Sequence, residues 1–380
     1  MKKKIGIFYI NAGGGHSATA RALAKEITEK YSDQVEPILV DAMQGGPFLT
    51  RWFLERGYAL AVNNFPYNWR VIYWLSKISY VMRGEDKLFT STAHSNIEKT
   101  ITEEKFDVII TVHYFLTSPV LKILAEKNLS TPVYSIVTDP FTVPPHWFLN
   151  KGIKYFVFSD VAKKLALENE ITPGNVSVVS PVINDKFFVA KNFDKNKIRE
   201  NLGFPLDKKI ILVVAGGDGL YAGGKVLRSL VRLPSDYQVV VVCGREQKFF
   251  EKATVLKRKF SNKILAVFGF VDNMEELLVA ADLVVGKAGP ATIFESLVVG
   301  RPVILTYYIW EQEKGNCDFV VQNGFGKYQP KLDELADTVK KFFEDEQEYQ
   351  RVLDNIKAYS IDIGATQIAK EIIENKIPTN

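Results

Sequence analysis

Residues 8–23, FYINAGGGHSATARAL, place three glycines and a histidine between an apolar run and a helical pattern. Glycine turns that open a helix bind anions, because free backbone N–H groups point outward there. An imidazole at this position faces the positive end of the helix dipole, which lowers its pKa and favours the neutral ring. We therefore expect His16 to be a general base, with Gly14 and Gly15 in an acceptor or anion loop.

A second candidate anion site lies in GFVDNMEELLVAADLVVGKAGPATIFESL, residues 269–297. Gly289 and Pro290 mark a helix start, since proline suits the first helical position. The free backbone N–H groups of this turn would suit a diphosphate, and they belong to Ala291, Thr292 and Ile293. Glu295, one turn further, is placed to accept both hydroxyls of a ribose. Alone, the pattern fits equally well an ordinary helix with a solvated Glu295.

Polar side chains in WEQEKGN, residues 310–316, follow the next predicted strand. Amide and carboxylate groups are the hydrogen-bonding partners that the hydroxyls of a sugar require. Gln312 and Glu313 are therefore predicted to bind a sugar, which favours the nucleotide-binding interpretation of the helix before them.

Length, charge and cysteine content limit the possible classes of protein. A chain of 380 residues is too long for a single ordinary hydrophobic core, so we predict two domains. The net charge of +4 is too small to indicate nucleic-acid binding. Cys243 and Cys317 form no metal or redox motif, which fits a reduced cytoplasmic setting. No run reaches the ~18 apolar residues of a membrane span, so we expect a soluble or peripheral protein.

Short apolar runs alternate with helical patterns, which predicts βαβ units and parallel sheets with both faces covered. The predicted strands are Ile5–Ile10, Val35–Val40, Val108–Val112, Val133–Val137, Tyr155–Phe158, Val176–Val179, Ile210–Ala215, Val239–Cys243, Ile264–Phe268, Leu283–Gly286 and Val303–Thr306. We expect an acceptor-binding domain over 1–187, a linker over 188–206, a donor-binding domain over 207–345, and C-terminal helices over 346–380 that pack back on the first domain.

A dehydrogenase is the alternative from another class. Residues 13–18 satisfy the G-x-G-x-x-A spacing, and Asp41 lies where a dinucleotide fold keeps its ribose-binding acid. The same spacing recurs at 217–222 without such an acid, so the match is weak. Either glycine turn also fits a purely structural strand-to-helix connection.

Six motifs together resemble the monogalactosyldiacylglycerol synthase and processive diacylglycerol glucosyltransferase family. They are AGGGHSATARA, VTDPFTVPPHWF, AGGDG, GFVDNMEEL, KAGPATIFESL and EQEKGNCDFVVQNGFG. These enzymes are inverting glycosyltransferases of the two-lobed GT-B fold, with Rossmann-like lobes facing a cleft, and are related to the peptidoglycan glycosyltransferase that uses a lipid-linked acceptor. The resemblance implies transfer of glucose or galactose from a UDP-hexose to diacylglycerol or a similar lipid. A polyprenyl-linked or soluble acceptor stays open.

The same resemblance implies roles for individual residues. His16 would be the base, with Asp139 near it to orient the ring or replace it, and His113 would contact the acceptor. The donor-binding residues would be Gly216, Gly217, Phe270, Val271, Gly289, Pro290, Ala291, Thr292, Glu295, Gln312, Glu313 and Asn316, with the uracil on Phe270 and Val271. The chain has no D-x-D sequence, so we expect no metal or other cofactor and assign neutralisation of the diphosphate to helix N-termini and Lys287.

The segment 48–84 is rich in aromatic and cationic residues, a composition that suits a lipid headgroup interface. We expect it to bind an anionic membrane surface on the cytoplasmic face, through Arg51, Trp52, Arg56, Trp69, Arg70 and Trp74. A helical pair whose aromatics pack in the core is the alternative. Such a stretch also suits single-stranded nucleic acid, but no stacking platform accompanies it, so no nucleic-acid partner is expected.

Overall fold

The computed structural model describes residues 2–11, 14–44, 57, 79–217 and 219–376 and divides into two compact units. Unit 1 combines Met1–Asn184 with Asp362–Asn380, and unit 2 is formed by Asp185–Ile361. Unit 1 is therefore built from two separate stretches of the chain.

Each unit contains a sheet of six described strands in which all neighbours run parallel. The strands of unit 1 are β1 Lys3–Tyr9, β2 Val35–Asp41, β3 Val108–Thr111, β4 Val133–Val137, β5 Lys154–Val157 and β6 Val176–Val178. Those of unit 2 are β7 Lys209–Val214, β8 Tyr237–Val242, β9 Ile264–Phe268, β10 Leu283–Lys287, β11 Val303–Tyr307 and β12 Gly326–Tyr328. Across the sheets the orders are β2-β1-β3-β4-β5-β6 and β12-β11-β10-β7-β8-β9.

Helices provide most of the crossover connections that parallel strands require. The described α-helices are α1 Gly15–Tyr31, α2 Ser79–Glu104, α3 Tyr114–Glu126, α4 Asp160–Glu168, α5 Asp185–Ala190, α6 Lys195–Asn201, α7 Gly223–Leu230, α8 Gln247–Lys259, α9 Met274–Ala280, α10 Pro290–Val298, α11 Lys314–Gln322, α12 Leu335–Glu344, α13 Glu346–Ala358 and α14 Gly364–Lys376. Short 3₁₀ turns occur at Pro145–Phe148, Pro173–Asn175 and Leu332–Glu334. No helix within the described ranges is long and apolar enough to cross a membrane.

The sheet of unit 1 has an apolar core on each face, and β1 contributes to both. Ile5 and Ile7 pack into the core shared with α1 and α14, whereas Phe8 packs into the core shared with α2 and α3. This follows from the strand period of two, which sends successive side chains to opposite faces. The continuous apolar runs predicted for a doubly covered parallel sheet are confirmed.

Strand β12 is absent from the predicted set. Its three residues, Gly-Lys-Tyr, contain no apolar run and occupy the edge of the sheet beside β11. A glycine is required at 326, because an added Cβ would lie 1.7 Å from the carbonyl oxygen of Val303. Pairing with a neighbour, rather than side-chain pattern, thus defines this strand.

The expected linker over 188–206 is largely helical and belongs to unit 2. Helix α6 is attached by Arg199, which is 3% exposed. Its guanidinium donates to Asp282 Oδ2 at 2.7 Å and to the carbonyl of Ala280 at 2.8 Å. A polar, charge-rich sequence resembles a linker, whereas here Lys195 and Arg199 pair with Asp282 in the body of unit 2.

Asp282 is the centre of this attachment. Its carboxylate also accepts from the Lys195 ammonium and from the backbone N–H of Ile210 at 2.6 Å. Burial alone would raise the pKa of Asp282, but Lys195, Ile210 and Arg199 hold it below its ordinary value. The carboxylate therefore stabilises the fold above its unfolded pKa, and this contribution is lost as the pH falls through the folded pKa.

The C-terminal helices differ from the expectation that all of 346–380 packs on the first domain. Helix α13 packs against α12 within unit 2, and only α14 returns to unit 1, where it packs against α1. Gln367 secures this return by accepting the Ser180 N–H at 2.7 Å. The predicted return to the first domain therefore describes α14 but not α13.

We predict that Asp282→Asn lowers the free energy of unfolding by about 3 kcal/mol, because it leaves Arg199 as a buried cation without a carboxylate. Denaturant unfolding followed by circular dichroism measures the loss. Asp318→Asn is the matched control: it removes the carboxylate of an exposed pair with Lys314, and should cost less than about 1 kcal/mol. Equal losses in the two variants would contradict the role given to Asp282.

Candidate active site

The glycine turn after β1 places His16 in the first turn of α1. Gly14 caps the helix with a φ of 80°, a left-handed conformation that a side chain would disfavour. Gly15 begins the helix, and no atom of the described residues lies within 4 Å of a hypothetical Cβ on it. The turn therefore holds His16 at the carboxyl edge of the sheet.

Two groups from neighbouring strands hold the His16 ring. Nδ1 lies 2.8 Å from the carbonyl oxygen of Val112 and 2.9 Å from the hydroxyl of Thr138. A carbonyl can only accept, so Nδ1 carries the proton in the neutral ring and Nε2 has the free lone pair. The arrangement fixes the tautomer that a base requires.

Burial is the main cause of the low basicity of His16. It lowers the pKa from the ordinary 6.5 to about 4, against the opposing effect of the Val112 carbonyl. The sequence predicted this direction from the helix dipole, whereas desolvation is the larger cause in the structure. The ring is therefore neutral at physiological pH.

Three of the four histidines gather in what we call the histidine–aromatic cluster, which consists of His16, His113, Tyr114, Phe115, His146 and Trp147. The ring centroids of His16 and His113 are 4.5 Å apart, and those of His113 and Tyr114 are 4.4 Å apart. Trp147 lies 6.2 Å from His16 and is 1% exposed. Nε2 of His146 donates to Oε2 of Glu85 at 3.1 Å.

Asp139 lies in the same region but bonds to another partner. Its Oδ2 accepts the indole N–H of Trp147 at 2.7 Å, and Trp147 in turn packs near His16. The orienting contacts to Nδ1 come from Val112 and Thr138. Sequence reasoning missed Thr138, although its position directly after β4 and before Asp139 was a usable signal.

The dehydrogenase alternative depended on Asp41. Its Oδ2 accepts from the Asn11 amide at 2.7 Å, and its Oδ1 accepts from the Met43 N–H at 3.1 Å. Both oxygens that a ribose would need are therefore engaged within unit 1.

In unit 2, the turn before α10 has the predicted proline start, with Gly289 as the cap and Pro290 at the first position. Ala291 is exposed and Thr292 partly buried. Ile293, predicted as a third free donor, instead donates its N–H to the Gly289 carbonyl at 3.2 Å. Proline has no N–H, so the predicted three-donor anion site is reduced to Ala291 and Thr292.

Glu295 lies one turn into α10 and is partly buried. Burial raises its pKa to about 8, with the Lys186 ammonium opposing the shift and Glu275 adding to it. Lys186 is held by Glu275, whose Oε2 lies 2.6 Å from Nζ. The carboxyl group of Glu295 is therefore mostly protonated at neutral pH.

Lys287 and Glu313 form a buried ion pair at 2.5 Å, with side chains that are 11% and 8% exposed. The second oxygen of Glu313 accepts the Ile309 N–H at 2.9 Å. Both oxygens of Glu313 thus have a partner within unit 2, and its contact with sugar hydroxyls stays a prediction. Hypothetical Cβ atoms on Gly216 and Gly289 would lie 3.8 Å and 3.6 Å from Lys287 atoms, so the lysine lies between these two turns.

The remaining predicted donor residues also lie in unit 2. Phe270 is 62% exposed, and the Arg245 guanidinium lies 4.8 Å from its ring centroid; Val271 is partly buried. Gly217 is exposed and Gln312 is partly buried. Asn316 donates to the Ala288 carbonyl at 2.9 Å, while its buried Oδ1 has no partner among the described residues.

The proposed membrane residues lie outside the described residues: Arg51, Trp52, Arg56, Trp69, Arg70 and Trp74. Among the described residues no group of three or more histidine, cysteine, aspartate or glutamate side chains is placed to hold a metal ion.

Two family models match the chain, one in each half. Residues 16–183 match monogalactosyldiacylglycerol (MGDG) synthase, and residues 210–370 match the glycosyltransferase family 28 C-terminal domain. A probable chloroplastic MGDG synthase of Nicotiana tabacum is 29% identical over 363 residues, which cover 92% of this chain and 66% of that protein. The chain thus spans slightly less than two thirds of this relative.

A bacterial relative matches over nearly its whole length. The processive diacylglycerol beta-glucosyltransferase of Bacillus licheniformis is 25% identical over 382 residues, or 98% of this chain and 95% of that protein. The crystal structure of Anabaena Alr3699/HepE in complex with UDP and glucose has a TM-score of 0.60 at 14% identity and covers 98% of this chain and 99% of that one. It shares the fold, and the GT-B class predicted from the sequence is confirmed.

We predict that the His16 ring titrates near pH 4 rather than near its ordinary value of 6.5. Because the folded pKa is the lower one, the contribution of this ring to stability is present above about pH 6.5 and is lost as the pH falls toward 4. Long-range ¹H–¹⁵N spectra of ¹⁵N-histidine protein give the titration, and His16→Gln assigns the signal. A midpoint near 6.5 would show that the ring is solvated.

Proposed function

We propose that this chain, a glycosyltransferase that joins an MGDG synthase domain to a family 28 C-terminal domain, transfers a hexose from a UDP-sugar to diacylglycerol. The observation that carries the proposal is the succession of these two domains in one chain, which a diacylglycerol glucosyltransferase matches over 95% of its length. The product is a membrane glycolipid, and the hexose is glucose or galactose.

The chemistry is an inverting displacement. Nε2 of His16 takes the proton of the lipid hydroxyl as its oxygen attacks the anomeric carbon, and the bond from that carbon to the diphosphate breaks to release UDP. A positioned base contributes about 10²–10⁴ in rate. The fixed tautomer of His16 supports this role, because the lone pair on Nε2 is held available by the contacts of Nδ1.

In this proposal the UDP-sugar donor binds to unit 2. The N–H groups of Ala291 and Thr292 and the ammonium of Lys287 neutralise the diphosphate, with Gly216 and Gly217 allowing its close approach. Glu295 accepts the ribose hydroxyls, Phe270 and Val271 contact the uracil, and Gln312 binds the sugar. No metal or other cofactor is required, since Lys287 and the helix supply the positive charge that a metal would supply.

The acceptor is a membrane lipid, so the enzyme must reach a bilayer surface. We assign this contact to the aromatic and cationic residues of the segment 48–84, on the cytoplasmic face of the membrane. Clustered arginines attract anionic headgroups and tryptophans favour the interface.

His16→Ala is expected to abolish transfer to diacylglycerol while leaving UDP binding nearly intact, because the nucleotide is assigned to unit 2. Transfer from radiolabelled UDP-hexose and UDP calorimetry measure the two effects. Asp139→Asn is the companion variant, since an asparagine oxygen still accepts the Trp147 N–H. If Asp139 only positions Trp147, this variant keeps most of the activity; if it is the base, activity is lost here and retained in His16→Ala.

Glu295 gives a pH-dependent prediction. Only the ionised carboxylate accepts both ribose hydroxyls, so UDP should bind about tenfold more tightly at about pH 8.5 than at about pH 6.5. Calorimetry across this range measures the change. The control is Glu295→Gln, whose side chain cannot ionise, so any pH dependence that remains comes from the titration of UDP itself. If UDP affinity changes with pH equally in this variant and in the wild type, Glu295 is excluded from the nucleotide site.

A further inference from the structure

His113 has a fixed tautomer of its own. As the N-cap of α3, its Nδ1 accepts the N–H of Phe115 at 3.2 Å. An accepting Nδ1 is unprotonated, so the proton of the neutral ring lies on Nε2. His113 is 4% exposed, and no hydrogen bond among the described residues engages its Nε2. An N–H donor that no protein group engages is available to hydrogen-bond a ligand.

The tautomer of His113 is opposite to that of His16. In His16 the proton lies on Nδ1 and Nε2 can accept; in His113 Nε2 can donate. The two ring centroids are 4.5 Å apart. Unit 1 therefore presents one hydrogen-bond acceptor and one donor side by side, each fixed by a backbone group.

The surroundings keep this arrangement neutral and largely apolar. Burial lowers the pKa of His113 well below 6.5, and the nearby rings of His16 and His146 lower it further. Tyr114, Phe115 and Trp147 pack around the imidazole, with Phe115 stacked on it at 5.5 Å. A hydrogen bond from Nε2 in such an apolar setting is stronger than the same bond in water.

We propose that the Nε2–H of His113 donates to the ester carbonyl oxygen of diacylglycerol that neighbours the reacting hydroxyl. This assignment rests on the proposed function and adds a second contact to it: His16 takes the hydroxyl proton, and His113 recognises the ester. A donor directed at the hydroxyl oxygen itself would lower its nucleophilicity, whereas a donor to the neighbouring ester positions the glycerol without that effect. His113 is thereby an acceptor-binding and specificity-determining residue.

Two variants separate this role from simple helix capping. His113→Asn keeps an oxygen that can cap α3 but loses the donor at the Nε2 position. His113→Gln carries an amide N–H at about the Nε2 position but loses the cap. The donor role predicts more transfer by the Gln variant than by the Asn variant; the capping role predicts the reverse order. Thermal unfolding of both variants reports the capping contribution separately.

The decisive experiment compares diacylglycerol with dialkylglycerol, an ether analogue that has the hydroxyl but no ester carbonyl. Wild-type protein should prefer diacylglycerol about tenfold in kcat/KM, as expected for one hydrogen bond. In His113→Asn the preference should fall to about one. In ¹⁵N-histidine spectra of the wild type, protonation on Nε2 for His113 and on Nδ1 for His16 is the expected pattern.

The outcomes that contradict the assignment to His113 differ from the outcome that contradicts the proposed function. Equal use of the two lipids by the wild type, an unchanged preference in His113→Asn, or a proton on Nδ1 of His113 would each overturn the assignment to His113 while leaving the proposed function in place. Absence of transfer to either lipid by the wild type would overturn the proposed function and this assignment together.

Discussion

The parallel direction of every strand pair is the constraint on which both candidate sites depend. In a parallel sheet all strand ends of one kind lie on the same edge, so residues that follow different strands become neighbours. In unit 1 the adjacent strands β1, β3 and β4 end beside His16, His113 and Thr138. In unit 2 the adjacent strands β11, β10 and β7 lead into the turns of Glu313, Lys287 and Gly216. No local motif produces these groupings, because their members are far apart along the chain.

The carboxyl edges of the two sheets differ in their electrostatics. Unit 1 keeps two histidines neutral by burial, while backbone contacts fix their tautomers, which suits a site that handles an uncharged hydroxyl. Unit 2 keeps a buried cation in place with a carboxylate, which suits a site that meets an anionic diphosphate. Removal of Glu313 would leave the Lys287 ammonium buried without its carboxylate, which is strongly destabilising.

The sequence was most informative where a local pattern determines the structure. The glycine turn predicted the position of His16, and the proline start predicted α10. The sequence was least informative where a side chain is held by a backbone group or by a side chain that is distant along the chain. The Val112 carbonyl that orients His16 lies 96 residues away, and every residue has such a carbonyl. The pairing of Glu313 with Lys287 was not predicted, because the two residues are 26 positions apart along the chain. Residues 188–206 were interpreted as a linker because Asp282, which accepts from Arg199, comes some 80 residues later.

The return of α14 to unit 1 has a consequence for the order in which the protein folds. The helix that completes the core behind α1 is synthesised only after the whole of unit 2. Gly364 is packed so closely that an added Cβ would lie 1.9 Å from the Ser180 carbonyl oxygen. On the ribosome, therefore, unit 2 can mature while unit 1 still lacks part of its core. The unit that carries His16 is therefore completed last.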